Sequence, residues 1–233
     1  MELRDALRTT GSTREFSARP VEDSVLFDVL DDARYAPSGG NRQAWRVIVV
    51  KDIAQRRAVA ATYLDAWHDY VGSLLAGVAP FSPIASEDDR RAAREQREAA
   101  RAHSNPDGFA ETLANVPALL VVVADLGALA ATDRDLNRYQ LVGGASVYPF
   151  VWSVLLAAHE RDLGGVMTTV AIKNEDVLRT ILSLPDDFAV AAVVALGYPQ
   201  RSVTKLKRRA VSEFASVDAF DGTPFESSTS TRQ

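Results

Sequence analysis

Two polar turns hold the residue types best suited to grip a small polar ligand: Ser12-Thr13-Arg14 and Pro37-Ser38-Gly39-Gly40-Asn41-Arg42-Gln43. Small residues at Ser38, Gly39 and Gly40 let backbone N–H groups approach an anion or a planar heterocycle closely. Asn41 and Gln43 add carboxamides, whose donors and acceptors match a uracil-like edge in either orientation. On these residues alone, a ligand site and a pair of glycine turns with polar caps both remain open. Other catalytic constellations are absent. The only histidines, His68, His103 and His159, have no second histidine within a helical turn, so no metal site is expected. The chain has no cysteine, which excludes disulfides, thiolate nucleophiles and cysteine-ligated metals. No nucleophile elbow, dinucleotide fingerprint or P-loop is present.

The elements that must position these turns follow from hydrophobic periodicity. Leu3, Ala6 and Leu7 predict a short helix closed at Thr10-Gly11 by a left-handed glycine. Val25, Leu26, Val29, Leu30 and Ala33 predict an amphipathic helix from Asp23 that stops before Pro37. Buried strands are expected over 45–50, 117–124 and 188–196, each apolar and rich in β-branched residues. Residues 54–78 read as a helix, and Glu87 to Arg101 as a charge-dense one with Arg90, Arg94, Arg97 and Arg101 on one face. That face is either solvated or a basic stripe, and the interspersed acids favour the solvated reading. Asp133 to Tyr139 reads as a polar helix-like stretch. A long buried helix follows, ending at Gly164-Gly165, and Asn174 is placed to cap a further helix carrying Val177, Leu178, Ile181 and Leu182. The run Tyr139 to Ala158 is 20 residues without a formal charge. Its glycines, Gln140 and Pro149, with apolar residues at helical spacing, predict a buried helix and not a membrane span.

The 233 residues are 47% hydrophobic and 24% charged, an ordinary folded composition. Lys and Arg number 26 against 31 Asp and Glu, a net charge of −5, so no positive field exists to hold nucleic acid or anionic lipid. Met1-Glu2-Leu3-Arg4-Asp5 lacks an apolar secretory run, and a cytoplasmic location is expected. One α+β domain over 1–220 with a flexible tail over 221–233 is the economical organisation.

Met1 to Lys51 resembles the opening of the FMN-dependent nitroreductase family. The family pattern of a basic residue, Ser, a second basic residue and Phe reads here as Thr10-Gly11-Ser12-Thr13-Arg14-Glu15-Phe16, matched from Ser12 onward, and a second, more specific motif reads Ala36-Pro37-Ser38-Gly39-Gly40-Asn41-Arg42-Gln43-Ala44-Trp45. Gly144-Ala145-Ser146-Val147-Tyr148-Pro149, Leu163-Gly164-Gly165-Val166-Met167-Thr168-Thr169 and Ala195-Leu196-Gly197-Tyr198-Pro199 follow in the family's order. Residues 52–115 carry no family motif and form a variable helical region, a candidate substrate lid.

The resemblance implies a three-layer α+β fold, a central mixed sheet flanked by helices, in an intertwined homodimer. It implies FMN as cofactor, NADPH or NADH as electron donor, and a small-molecule electron acceptor. Gly11 and Ser12 would lie at the phosphate and ribityl region, and Arg14 beside the pyrimidine side of the flavin. Pro37, Ser38 and Gly39 would line the flavin from the partner subunit, with Asn41 on the pyrimidine edge. Thr168 and Thr169 would pass near N5 or O4, and Lys207 and Arg209 would ligate the phosphate. Three departures stand out: Thr10-Gly11 where an arginine usually begins the phosphate turn, Ala44 for proline, and Trp152-Ser153 for Gln-Asn. Two alternatives stay open, a flavin-storing or sensing protein without turnover and a flavin-dependent dehydrogenase of the same fold.

Overall fold

The protein is described from a computed structural model over residues 1–201 and 205–227. The apolar runs form a four-stranded sheet from β1 (Trp45–Val49), β2 (Ala118–Asp125), β3 (Gly164–Thr168) and β4 (Phe188–Gly197) in the order β1-β2-β4-β3. All neighbouring strands pair antiparallel, and the parallel component of the expected mixed sheet is a single bridge, Ser12 to Gly165.

Strand alternation sorts the sheet's side chains into two buried clusters, which makes the fold three-layered. Leu120, Val122 and Ala124 face α2 (Asp23–Ala33) and α7 (Tyr148–Glu160), where they meet Leu26, Val29, Val151 and Val154. Leu119, Val121 and Val123 face α3 (Ile53–Leu75) and α8 (Glu175–Leu182), where they meet Val59, Tyr63 and Leu178. A bulge lets β4 keep both alternations: Val122 pairs with Ala192 and Val123 with Val190, so Ala191 is the extra residue. Each fully buried Leu or Val here contributes about 1.5–3 kcal/mol relative to exposure.

Several expectations are corrected. Gly164-Gly165 does not end a helix but opens β3. The helix stops at Glu160, and Asp162 turns the chain with a φ of 60°. Gly11 does not adopt a left-handed conformation. The short helix α1 (Leu3–Thr9) ends at an extended Thr10, because the chain must run straight into the bridge with Gly165. Asp133 to Tyr139 forms turns and no helix, since the Asp133 carboxylate draws in the N–H groups of Leu141 and Val142 at 2.8 and 3.2 Å and Arg138 at 2.9 Å. Asn174 stands before α8, but its side chain donates instead to the Thr62 carbonyl and to Asp65.

The charge-dense helix breaks at Gln96 into α4 (Glu87–Glu95) and α5 (Arg97–Ala102). The break carries Arg97 onto Asp65 at 2.5 Å and Asp69 at 3.2 Å, whereas Arg94 pairs locally with Glu87 in solvent. The close crossing needs Gly72, where an added Cβ would stand 2.8 Å from the Ala93 carbonyl oxygen. Among the described residues no helix is long and apolar enough to cross a membrane.

Candidate functional site

Backbone contacts set the first polar turn. Ser12 bridges Gly165, and the Thr13 N–H donates to the Gly165 carbonyl at 2.9 Å. The Ser17 N–H then donates to Tyr198 and the Gln200 N–H to Glu15, which stitches the turn between β3 and the exit of β4. The fit demands glycine at both β3 positions. A Cβ on Gly164 would lie 2.5 Å from the Thr13 Oγ1, and one on Gly165 would lie 2.5 Å from Leu196 and 3.1 Å from the Ala195 carbonyl. Held in this way, Gly11 is half-buried and Ser12 and Arg14 are exposed.

Arg14 makes no hydrogen bond or ion pair within the described residues, so its charge is available to a ligand. It stands at a cleft of about 350 Å³ lined also by Tyr63, Trp67, His103, Phe109 and Glu111. Burial pushes the Tyr63 phenol up from its ordinary value, opposed by a hydrogen bond to Thr168 and by the Arg14 charge. Tyr63, Arg14 and the end of β3 therefore share one electrostatic neighbourhood. Thr169, the next residue, is exposed, and the Thr168 hydroxyl accepts weakly from the Val170 N–H at 3.4 Å.

Side chains set the second turn. The Ser38 hydroxyl accepts from the Gln43 N–H at 2.9 Å, and the Gly39 N–H donates to the Ser146 hydroxyl at 3.2 Å. Gly40, Asn41 and Gln43 all have positive φ, at 60°, 53° and 50°. Asn41 is partly engaged, its carbonyl accepting from Gln43 Nε2 at 3.2 Å. Below the turn Trp45 stacks on Phe150 with centroids 4.8 Å apart, which fixes the start of β1 although Ala44 replaces the usual proline. Pro37, Gly39 and Asn41 are exposed and Ser38 half-buried.

One chain does not bring the two turns together. They lie at opposite edges of the sheet, one beside β1 and the other beyond β3, strands that are themselves about 14 Å apart at a spacing of about 4.8 Å. They also lie toward opposite ends: Trp45 pairs with Ala124, which pairs with Ala189, whereas Gly165 pairs with Leu196. Lys207 and Arg209 are exposed and make no hydrogen bond to Ser12 or Arg14 among the described residues. The described residues contain no group of acidic or histidine side chains arranged to hold a metal.

Sequence reasoning placed a variable region at 52–115 without identifying Tyr63, Trp67 or Phe109 as cleft walls. The available signal was the aromatic stripe Tyr63, Trp67 and Tyr70 on α3, where successive rings lie 6.1 and 4.9 Å apart. Only the packing of residues 97–112 against that stripe turned it into a cleft.

Comparison with known proteins agrees with this architecture. The profile described as the nitroreductase family matches residues 7–198. An NADH dehydrogenase of Thermus thermophilus is 29% identical over 204 residues, covering 85% of this chain and 87% of its own. A nitrobenzene nitroreductase of Ectopseudomonas oleovorans is 26% identical over 212 residues, with coverage of 85% and 87%. A Desulfovibrio desulfuricans structure in complex with FMN shares the fold at a TM-score of 0.64 and 20% identity, covering 94% of this chain and 98% of its own.

Proposed function

The chain belongs to the nitroreductase family, and from that premise we propose an FMN-dependent oxidoreductase that takes electrons from NADH or NADPH and passes them to an electron-poor acceptor such as a nitroaromatic or a quinone. The observation that carries this reading is Arg14, a cation at the rim of an aromatic-walled cleft with no ion-pair partner among the described residues. The residues present fit the cofactor. Among the described residues Ser12 and Arg14 offer side-chain donors without a hydrogen-bond or ion-pair partner, and exposed Lys207 and Arg209 have no acidic partner, which suits a dianionic phosphate. Bound FMN supplies the hydride-accepting and hydride-donating chemistry, so no side-chain acid, base or nucleophile is needed.

The protein's part is binding and electrostatics. The Arg14 charge stabilises negative charge that develops on the cofactor's pyrimidine side during reduction. Gly11 lets the chain pass closely there, and Thr168 and Thr169 place the end of β3 alongside. Tyr63, Trp67 and Phe109 offer flat apolar surface to a planar acceptor and exclude water from it. Pro37, Ser38, Gly39 and Asn41 complete the site from a second subunit, because the two turns occupy distant corners of one sheet. We read residues 1–220 as one cofactor-binding domain, with 52–115 as its substrate-facing wall.

The test is spectroscopic. Purified protein supplied with FMN should retain flavin absorption after gel filtration and bleach on anaerobic NADPH or NADH addition. Binding without bleaching would favour the storage reading or a different electron donor, and no binding in excess FMN would overturn the cofactor assignment.

A further inference from the structure

Besides Arg14, the cleft that it borders holds a second titratable side chain without a partner. Its titratable lining is Arg14, Tyr63, His68, His103 and Glu111. Tyr63 bonds Thr168, the Glu111 carboxylate accepts from the Ser104 hydroxyl and the Asn105 N–H, and His103 Nδ1 donates to the Ala99 carbonyl at 2.7 Å. Among the described residues, neither ring nitrogen of His68 has a hydrogen-bond or ion-pair partner, and its Nδ1 is sealed from solvent.

The sealed nitrogen decides where the ring's proton sits. The apolar lining of the cleft includes Val71, Ala100 and Ala110, whose side chains offer nothing to accept from an N–H. An interior tolerates an N–H without an acceptor less readily than a bare lone pair, and an imidazolium would place an N–H there as well. The neutral ring therefore keeps its proton on Nε2, the nitrogen left to the cleft. In that form His68 is an uncharged donor of one hydrogen bond. It adjoins Trp67 on α3, so the donor and a flat aromatic wall come from neighbouring residues. Such a pairing suits a planar aromatic molecule that carries an oxygen conjugated to its ring.

We propose that His68 selects and orients the electron acceptor, its Nε2–H donating to a ring-conjugated oxygen of a quinone or nitroarene. This rests on the oxidoreductase reading above and narrows its acceptor class. The step balances without a proton from His68. A quinone takes up a hydride, with its electron pair, from the reduced cofactor and becomes a hydroquinone monoanion. The hydrogen bond stabilises the negative oxygen, and water supplies the proton that completes the hydroquinone. Giving up the Nε2 proton would leave an imidazolate, so the ring stays a donor throughout.

The experiment is imidazole nitrogen NMR on the full chain at about pH 8, above the ordinary histidine range. The probes are duroquinone, with the protein oxidised, and durene, its oxygen-free counterpart. The chain has three histidines, so His68→Gln identifies the His68 signals by their loss. His68 should show the Nε2–H tautomer, and its Nε2 should shift with duroquinone and not with durene. The Nδ1–H tautomer would overturn the donor, as would equal shifts with both probes or no shift with the quinone. A kinetic arm mixes duroquinone with FMN-loaded protein reduced stoichiometrically by dithionite. Gln places an amide N–H near the position of Nε2, and Asn near that of Nδ1. His68→Gln should keep the reoxidation rate within about threefold of wild type, whereas His68→Asn should slow it about tenfold or more, with FMN affinity unaltered in both. Both variants slowed alike, or neither slowed, would overturn donation from Nε2, and so would FMN affinity that falls in either. Protein that binds no FMN, yet shows the quinone-specific shift at His68, would refute the cofactor reading and uphold the oxygen-recognising site.

Discussion

The two polar turns that make up the candidate site are built by different means. Ser12 to Arg14 is fixed by main chain against main chain, pressed onto two glycines of β3 with no room for a side chain. Pro37 to Gln43 is fixed by side-chain hydroxyls, positive-φ residues and a loop that leans on it through Arg42, which donates to the Leu129 carbonyl at 3.4 Å. That loop is in turn held by the Asp133 carboxylate. A backbone-built turn frees its side chains, which is why Arg14 remains unpaired, whereas a side-chain-built turn occupies part of its own donor and acceptor set.

The sharpest way to test this difference is Arg14→Ala, which removes the free charge without touching the backbone contacts. The rate of flavin reduction in stopped-flow should fall about a hundredfold, the size of one lost electrostatic donor, with thermal stability unchanged. An unaltered rate would remove Arg14 from the site.

Next in size, Gly165→Ala forces a methyl into Leu196 and the Ala195 carbonyl and should cost about 1–3 kcal/mol in chemical denaturation. Gly40→Ala in the other turn has open space around it, its nearest neighbour being Arg42 at 3.5 Å, and pays only for a φ of 60°. About 1 kcal/mol is expected there. Equal costs at the two glycines would break the distinction between a packed turn and a conformationally strained one.

Acid should separate the turns as well. The N–H groups of Leu141 and Val142, with Arg138, hold the Asp133 carboxyl below its ordinary 3.8. A carboxyl with a lowered folded value stabilises the fold above its unfolded value, and that contribution is lost as pH falls through the folded one. Hydrogen exchange should therefore show residues 126–146 and the Pro37 turn loosening below pH 3.8 before Thr13, whose N–H bonds a carbonyl that does not titrate. Asp133→Asn should make the loop's protection independent of pH in that range.

The smallest effect is expected where the sequence offered two readings, the arginine face of 87–101. Arg94→Ala should leave the unfolding midpoint unmoved, because its ion pair with Glu87 is exposed on both sides. Arg97→Ala should lower it measurably, since Arg97 ties α5 to both Asp65 and Asp69, whereas Arg101 reaches Asp65 only at 3.8 Å.

Much of this molecule was legible because local chemistry decided it. The three apolar runs rich in β-branched residues became β1, β2 and β4, and the periodic segments became α2, α3, α7 and α8, since burying such faces leaves few alternatives. The order of the motifs, from Ser12-Thr13-Arg14 through Pro37–Asn41 to Gly197-Tyr198-Pro199, was enough to imply the family. The misreadings share a cause. Gly11, Gly164 and Gly165 were read as helix stops, the commonest local use of glycine, but a distant strand or turn presses on Gly164 and Gly165 and the Ser12–Gly165 bridge keeps the chain at Gly11 extended. Asn174 and Asp133 were read by their neighbours in sequence, and both instead satisfy backbone groups or charges brought in by folding.

What the sequence determined by itself, then, is the set of elements and the chemical kind of the site, because periodicity and residue type act over a few positions. What only the tertiary structure decided is where those groups meet. It placed Tyr63, Trp67 and Phe109 around Arg14, broke the charged helix so that Arg97 reaches α3, and set the two polar turns at opposite corners of a sheet whose strand order no local pattern encodes. Strand order is a property of pairings between residues far apart in the chain, and the energy that selects it appears only once both faces of the sheet are covered.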